Sequence, residues 1–180
     1  MGETNTTNAP LFRVRTDVWI SATPEDVYAV VSDLTRGAEW SVECVGGTWV
    51  SGEPATVGAV FRGDNRRGTE VVSWAPVVRG EWTTDSEIIG AEPGRVFSWA
   101  IRNKAGQAQD SVWTFELAPA DDGCLLTHHF RMGEPTEGIL GITAAMSEKE
   151  KHQFFAEWSA KLEKDIAATL GRIKDVIEKK

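Results

Sequence analysis

The chain is short of several residue types, and each shortage narrows what it can be. Two cysteines, Cys44 and Cys124, occur in 180 residues. They sit in separate apolar stretches without Cys-x-x-Cys spacing, so both read as reduced thiols rather than a disulfide or a zinc site. Three histidines and the scattered carboxylates show no ligand spacing, and no metal or other cofactor is expected. Lys and Arg number 19 against 27 Asp and Glu, a net charge of −8. That balance lacks the positive field that nucleic acid or an anionic membrane needs, so neither is an expected partner. No apolar run approaches the roughly 20 residues of a membrane span. Met1–Pro10 does not read as a secretory leader. It is expected to be a disordered tail before a single cytoplasmic domain over residues 11–180, monomeric or homodimeric. The nucleophile elbow GxSxG and the phosphate loop GxxxxGK[ST] are both missing, which removes the commonest serine-hydrolase and nucleotide-binding readings.

What is abundant is tryptophan, eight residues against one tyrosine. What is long is the last stretch, Ser147 to Lys180. Ser147 and Glu150 have the capping-box spacing. Phe154/Phe155, Trp158, Leu162, Ile166, Leu170, Ile173 and Ile177 then recur every three or four residues, one stripe of an amphipathic helix. Glu157 and Lys161 are spaced for an i,i+4 ion pair. Such a helix needs a concave apolar surface to lie in. Its aliphatic second half is expected to seal that surface, and its aromatic tip, Phe154 to Trp158, to act as a gate beside the glycine-broken segment Gly133–Met146.

The preceding chain supplies strands. Phe12 to Ile20 alternates apolar and polar, the pattern of a half-buried strand. Thr23-Pro24-Glu25-Asp26 is a helix start, with a capping hydroxyl, proline at the first helical position and acids in the first turn. The helix or helix pair it opens should end before Trp40. Strands are expected at Val42–Ser51, Val57–Gly63, Glu81–Ile89, Arg95–Arg102, Ser111–Leu117 and Gly123–Met132. Arg66-Arg67-Gly68 reads as a polar loop, and Thr69–Val78, with Pro76, as an edge segment or a lid. Short turns between consecutive strands make the pairing antiparallel. The expected class is α+β, a curved antiparallel sheet packed on the long C-terminal helix.

This order, together with Thr23-Pro24-Glu25-Asp26-Val27, Glu39-Trp40-Ser41, Gly58-Ala59-Val60-Phe61-Arg62-Gly63 with Asn65, Trp82-Thr83-Thr84, Glu92-Pro93-Gly94-Arg95-Val96-Phe97-Ser98-Trp99 and Trp113-Thr114-Phe115-Glu116-Leu117, resembles the START-related helix-grip superfamily, also called SRPBCC or polyketide cyclase/dehydratase-like. The resemblance runs from about Phe12 to Glu178. It implies a helix-grip fold of about seven strands around the C-terminal helix, two short helices after the first strand, and a cavity for an apolar small molecule such as a lipid or polyketide. The Thr69–Val78 segment is longer than this resemblance leads one to expect.

Strand parity puts Trp82, Thr84 and Ser86 on one inward face, Phe97 and Trp99 on another, and Ser111, Trp113 and Phe115 on a third. With Trp40, Phe61, Phe155 and Trp158 these make an aromatic interior. It reads either as plain core or as the wall of a ligand pocket, in which Thr84, Ser86 and Ser98 or Ser111 supply hydroxyls. His128 shares parity with Leu126, Phe130 and Met132 and is expected inside, as a core histidine, a polar anchor or a weak catalytic candidate. His129 is expected outside, with Glu81, Asp85 and Glu87 on a solvated face. Three functions stay open: binding or carrying an apolar small molecule, polyketide aromatase/cyclase or dehydratase chemistry in the same cavity, and a regulatory protein-interaction module.

Overall fold

A computed structural model describes residues 9–179. Most of the expected tail, residues 1–8, lies outside them. Seven strands form one antiparallel sheet: β1 (Phe12–Ile20), β2 (Cys44–Ser51), β3 (Val60–Arg67), β4 (Gly80–Glu92), β5 (Val96–Arg102), β6 (Ala108–Ala120) and β7 (Gly123–Met132). Their spatial order is β1-β7-β6-β5-β4-β3-β2. The crossover from β1 to β2 is made by α1 (Pro24–Val31), a 3-10 turn at Leu34–Arg36 and α2 (Gly37–Trp40). After β7 come α3 (Glu137–Thr143) and α4 (Glu148–Glu178), which lies across the concave face. This is the α+β helix-grip architecture.

Local chemistry accounts for the helix starts. Thr23 Oγ1 accepts from Asp26 N at 3.1 Å, with Pro24 opening α1. At α4 both halves of the capping box form: Glu150 N donates to Ser147 Oγ at 3.2 Å, and Ser147 N donates to Glu150 Oε2 at 2.7 Å.

The buried apolar residues form two clusters rather than one. The first joins α1, Trp40 and the second half of α4 (Leu170, Ile173) to Phe97, Phe115 and Leu126. The second joins the first half of α4 (Phe154, Trp158, Leu162, Ile166) to Phe12, Phe130 and Met132. The sheet's convex face carries cross-strand ion pairs, Arg62–Asp85 at 2.8 Å, Arg66–Glu81 at 2.7 Å and Arg102–Glu87 at 2.7 Å, which neutralise one another at the surface.

Four expectations are corrected. Arg66 and Arg67 belong to β3, because pairing with β4 continues to Arg67↔Gly80. β4 and β6 each run 13 residues, longer at both ends than expected. Residues 68–79 form no strand. They turn over 69–74 and continue without regular structure to Gly80, with Val77 N donating to Ala75 O at 2.9 Å and both residues buried in the second cluster. Finally, Lys161 pairs with Asp165 and with Glu43 at 3.4 Å rather than with Glu157, whose carboxylate instead accepts from Trp74 Nε1 at 2.7 Å. Both alternatives have i,i+4 spacing along α4, and the tertiary partners decide between them.

Candidate functional site

A cavity of about 370 Å³ lies between the two clusters, roofed by the middle of α4. Its floor is the concave face of the sheet. Alternation delivers every second residue to it: Phe61, Gly63, Asn65 and Arg67 from β3, Trp82, Thr84 and Ser86 from β4, Trp99 and Ile101 from β5, Ser111 and Trp113 from β6, His128, Phe130 and Met132 from β7. Trp40 and Cys44 close one side and α3 the other, while Trp158, Leu162, Ile166 and Thr169 form the roof. Trp99 and Trp113 are only half-buried although they sit on the concave face beneath a helix. A face that close-packed against α4 would bury them. The surface they keep open faces the cavity.

His128 is the polar centre of the floor. It is 3 % exposed, stacks on Phe115 at 4.0 Å between ring centroids, and lies beside Trp113 at 5.6 Å. Its Nδ1 is 2.9 Å from Thr114 O. A carbonyl only accepts, so Nδ1 carries the proton and Nε2 keeps its lone pair. Burial pushes the imidazole pKa down to about 4, against a smaller upward pull from Thr114, so the ring is neutral at pH 7. It can accept a hydrogen bond from a hydroxyl, and it is not a general acid there. Trp40 packs edge-on against the same Phe115 at 5.7 Å. Its Nε1 is sealed within the wall without a partner among the described residues, so Trp40 offers the cavity ring surface and not its N–H.

The rim carries charges that the sequence did not single out. The Arg67 guanidinium lies 4.4 Å from the Trp82 ring centroid and 4.9 Å from that of Trp158. It donates to both oxygens of Glu43, at 2.6 and 2.9 Å, and to Val78 O at 3.0 Å. Lys161 bonds to Glu43 and Asp165 and sits over the Trp158 ring at 5.0 Å. Burial alone would raise the Glu43 pKa. The bond from Arg67 and the charges of Lys161 and Arg67 outweigh it and hold the carboxyl below its usual range. Two cations and two anions cancel, and the network ties β3, the start of β2 and α4 together around the opening. Within the cavity, Asn65 Nδ2 donates to Thr84 Oγ1 at 3.1 Å.

Of the residues expected to face a ligand, Trp40, Phe61, Trp82, Thr84, Trp99, Trp113, His128 and Trp158 line this cavity. Phe97 and Phe155 do not. Phe97 shares parity with Trp99 but lies one step nearer α1, where Tyr28 meets it edge-on at 6.1 Å. Phe155 packs against Phe12 at 5.7 Å. Ser86 and Ser111 face the cavity and Ser98 does not. The void sits under the middle turns of α4. Leu162 and Ile166, expected only to seal the sheet, form part of its roof, and Phe154, expected at a gate, is fully buried. Arg67 could have been found by extending the Phe61–Gly63–Asn65 alternation one step. Glu43, Lys161 and Asp165 carry no comparable signal. Among the described residues no three His, Cys, Asp or Glu side chains gather as a metal site, and no helix is long and apolar enough to cross a membrane.

Comparison with known proteins gives a consistent family. The profile described as polyketide cyclase/dehydrase and lipid transport matches residues 12–178. No curated protein matches the sequence. Among solved structures, a polyketide-cyclase-like protein from Corynebacterium glutamicum is 26 % identical, with 96 % of this chain and 94 % of that one covered and a TM-score of 0.59. BexL, a di-domain aromatase/cyclase of the BE-7585A biosynthetic pathway, is 21 % identical with a TM-score of 0.67. The alignment covers 97 % of this chain and 52 % of BexL, about one of its two domains. An Aha1 dimer from Colwellia psychrerythraea, 14 % identical and covered to 92 % and 96 %, shares the fold with a TM-score of 0.51.

Proposed function

The chain belongs to the polyketide cyclase/dehydrase and lipid transport family, and from that premise we propose that it binds and carries an apolar, ring-bearing small molecule between its sheet and α4. The observation that carries this reading is the half-buried pair Trp99 and Trp113, which leave aromatic surface open inside a cavity of about 370 Å³. That volume lies in the range typical of small-molecule pockets, roughly 300–1,000 Å³. Stacking on the indoles supplies affinity, and the neutral His128 supplies one acceptor that orients a ligand hydroxyl. The rim charges are already paired, so they close the opening without demanding a charged ligand. Binding rather than turnover is favoured because burial holds back the two floor groups best suited to proton exchange or nucleophilic attack. His128 stays neutral, and burial raises the Cys44 thiol above its ordinary value.

A second reading has one observation in its favour. The free lone pair of His128 Nε2 is a base, if a weak one, set among aromatic walls. In such a cavity a cyclase of the kind for which the family is named would work mainly by holding a reactive chain in one conformation. Organic extraction of freshly purified protein, followed by mass spectrometry, tests the first reading. A stoichiometric apolar compound is expected, released in smaller amount from Trp113→Ala. An empty cavity that also fails to take up ring-bearing probes would overturn it. Recovery of a compound chemically altered from the one supplied would move the conclusion to the second reading.

A further inference from the structure

We propose that Arg67 and Glu43 form a side-chain latch over the mouth of the cavity, and that a ligand enters and leaves past Val42 and Val78, between α4 and the β2 side of the sheet, when the latch parts. This rests on the binding reading above and adds the route and its gate.

The cavity reaches the surface where β2 begins and the 68–79 loop ends. Val42 and Val78 both line it, yet they are 38 % and 50 % exposed. Apolar side chains that border the void and the solvent at once mark an opening rather than a wall. The opposite side is different. There α3 is tied to the sheet through backbone groups: Glu137 N donates to Gln109 Oε1 at 2.8 Å, Lys104 N donates to Glu137 Oε2 at 3.0 Å, and Ile139 is buried beneath. At the Val42–Val78 mouth, sheet and helix are joined by side chains. The Arg67 guanidinium lies over Trp82 of β4 and Trp158 of α4, and Lys161 of α4 reaches Glu43 just ahead of β2.

Three features make this a latch rather than a fixed strut. The sheet does not depend on it, because β3 and β4 pair through their backbones as far as Arg67↔Gly80. Its moving part is a long unbranched side chain, and side chains rearrange far faster than packed elements separate. What it uncovers is apolar. With the guanidinium out in solvent, the residues left at the mouth are Val42, Val78, Trp82 and Trp158, a passage suited to an apolar guest. Glu43 supplies the return, since its two bonds to Arg67 are charge-assisted and keep the open arrangement rare. Of the aromatic tip expected to act as a gate, Trp158 alone takes part. Phe154 is fully buried and Phe155 packs on Phe12.

The test is stopped-flow fluorescence with N-phenyl-1-naphthylamine, a neutral apolar dye that brightens in apolar surroundings and makes no demand on the rim charges. In Glu43→Gln, which weakens the latch, kon and koff are both expected to rise about tenfold while Kd stays within about threefold, the scale of one hydrogen bond to a charged group. Lys161→Gln removes the second tie to Glu43. It should raise both rates by less, and it carries the test if Glu43→Gln is not folded by circular dichroism. Two further variants locate the route. Gln109→Ala loosens α3 on the opposite side, and Lys174→Met frees the far end of α4 from Trp19 O and Glu178. Both are expected to exchange dye within about twofold of wild type. Unchanged rates in Glu43→Gln and Lys161→Gln would overturn the latch, as would equal acceleration by Lys174→Met or acceleration by Gln109→Ala alone. A rise in koff without kon would mean that the rim holds the dye, and would also overturn it. Failure of wild type to bind the dye would instead remove the binding reading beneath.

Discussion

The Glu43 carboxylate holds the Arg67 guanidinium in a two-pronged grip, at 2.6 and 2.9 Å, at the lip of the cavity. The Arg67 side chain is only 9 % exposed, so its charge depends on this partner. Glu43→Gln is expected to lower unfolding stability by about 2 kcal/mol in urea titrations, the scale of a lost hydrogen bond to a charged group. Because folding lowers the Glu43 pKa, its contribution is fully present above the unfolded carboxyl value and disappears as pH falls through the folded one. Wild type should therefore lose stability in that acid window more steeply than Glu43→Gln. Parallel pH profiles would refute the point.

His128 predicts a second, separate pH dependence. Its pKa falls from 6.5 to about 4 on folding, so between those values the unfolded chain binds a proton that the native chain does not. Stability contributed by this site should decline as pH drops below 6.5, at up to about 1.4 kcal/mol per unit, and level off near 4. Nitrogen-detected NMR should show one neutral imidazole, protonated at Nδ1, unchanged from pH 8 to 5. A His128 that titrates near 6.5 would contradict both the burial and the bond to Thr114.

Wall and core aromatics should separate by stability. Phe115 is fully buried and supports His128, Trp99 and Trp40. Phe115→Ala is expected to cost about 3–5 kcal/mol. Trp99→Ala removes a ring that already borders open space, so its cost should be smaller, about 1–2 kcal/mol. Its ligand affinity, by contrast, should fall about tenfold or more. Equal destabilisation by the two variants would mean that Trp99 is packed like a core residue.

The 68–79 loop is tied down at named points. Trp74 Nε1 bonds to Glu157, and Arg79 Nη2 donates to Val72 O and Ala75 O at 2.9 and 3.2 Å. Glu157→Ala is expected to speed amide hydrogen exchange over residues 69–75 while the C-terminal half of α4 keeps its protection. Unchanged exchange in the loop would show that Ala75 and Val77, buried in the second cluster, hold it alone.

Much of this was legible in the residues. The Thr23 and Ser147 caps, the stripe along α4 and the parity of Trp82, Trp99, Trp113 and His128 are local signals, and local chemistry sets them. From sequence Arg67 falls in a loop, because Arg-Arg-Gly looks like a turn. Only the partner strand, continuing to Gly80, shows that the ladder extends through it. The Lys161 pairing is hidden for a related reason. Along α4 its two candidate partners are equivalent, and the choice is made by Trp74 and Glu43, each distant in sequence. Phe97 and Phe155 lay on the expected faces but beyond the ends of the void, whose length no periodicity encodes.

The two clusters of the core hold α4 on either side of the cavity that its middle turns roof. Leu162 and Ile166 are buried in the second cluster and also border the cavity, so a guest there would add dispersion contacts to those they already have. The host gains contacts from the guest as well as the guest from the host. Occupancy should therefore tie the two clusters to each other through the guest, so that the loaded protein melts at a higher temperature than the empty one.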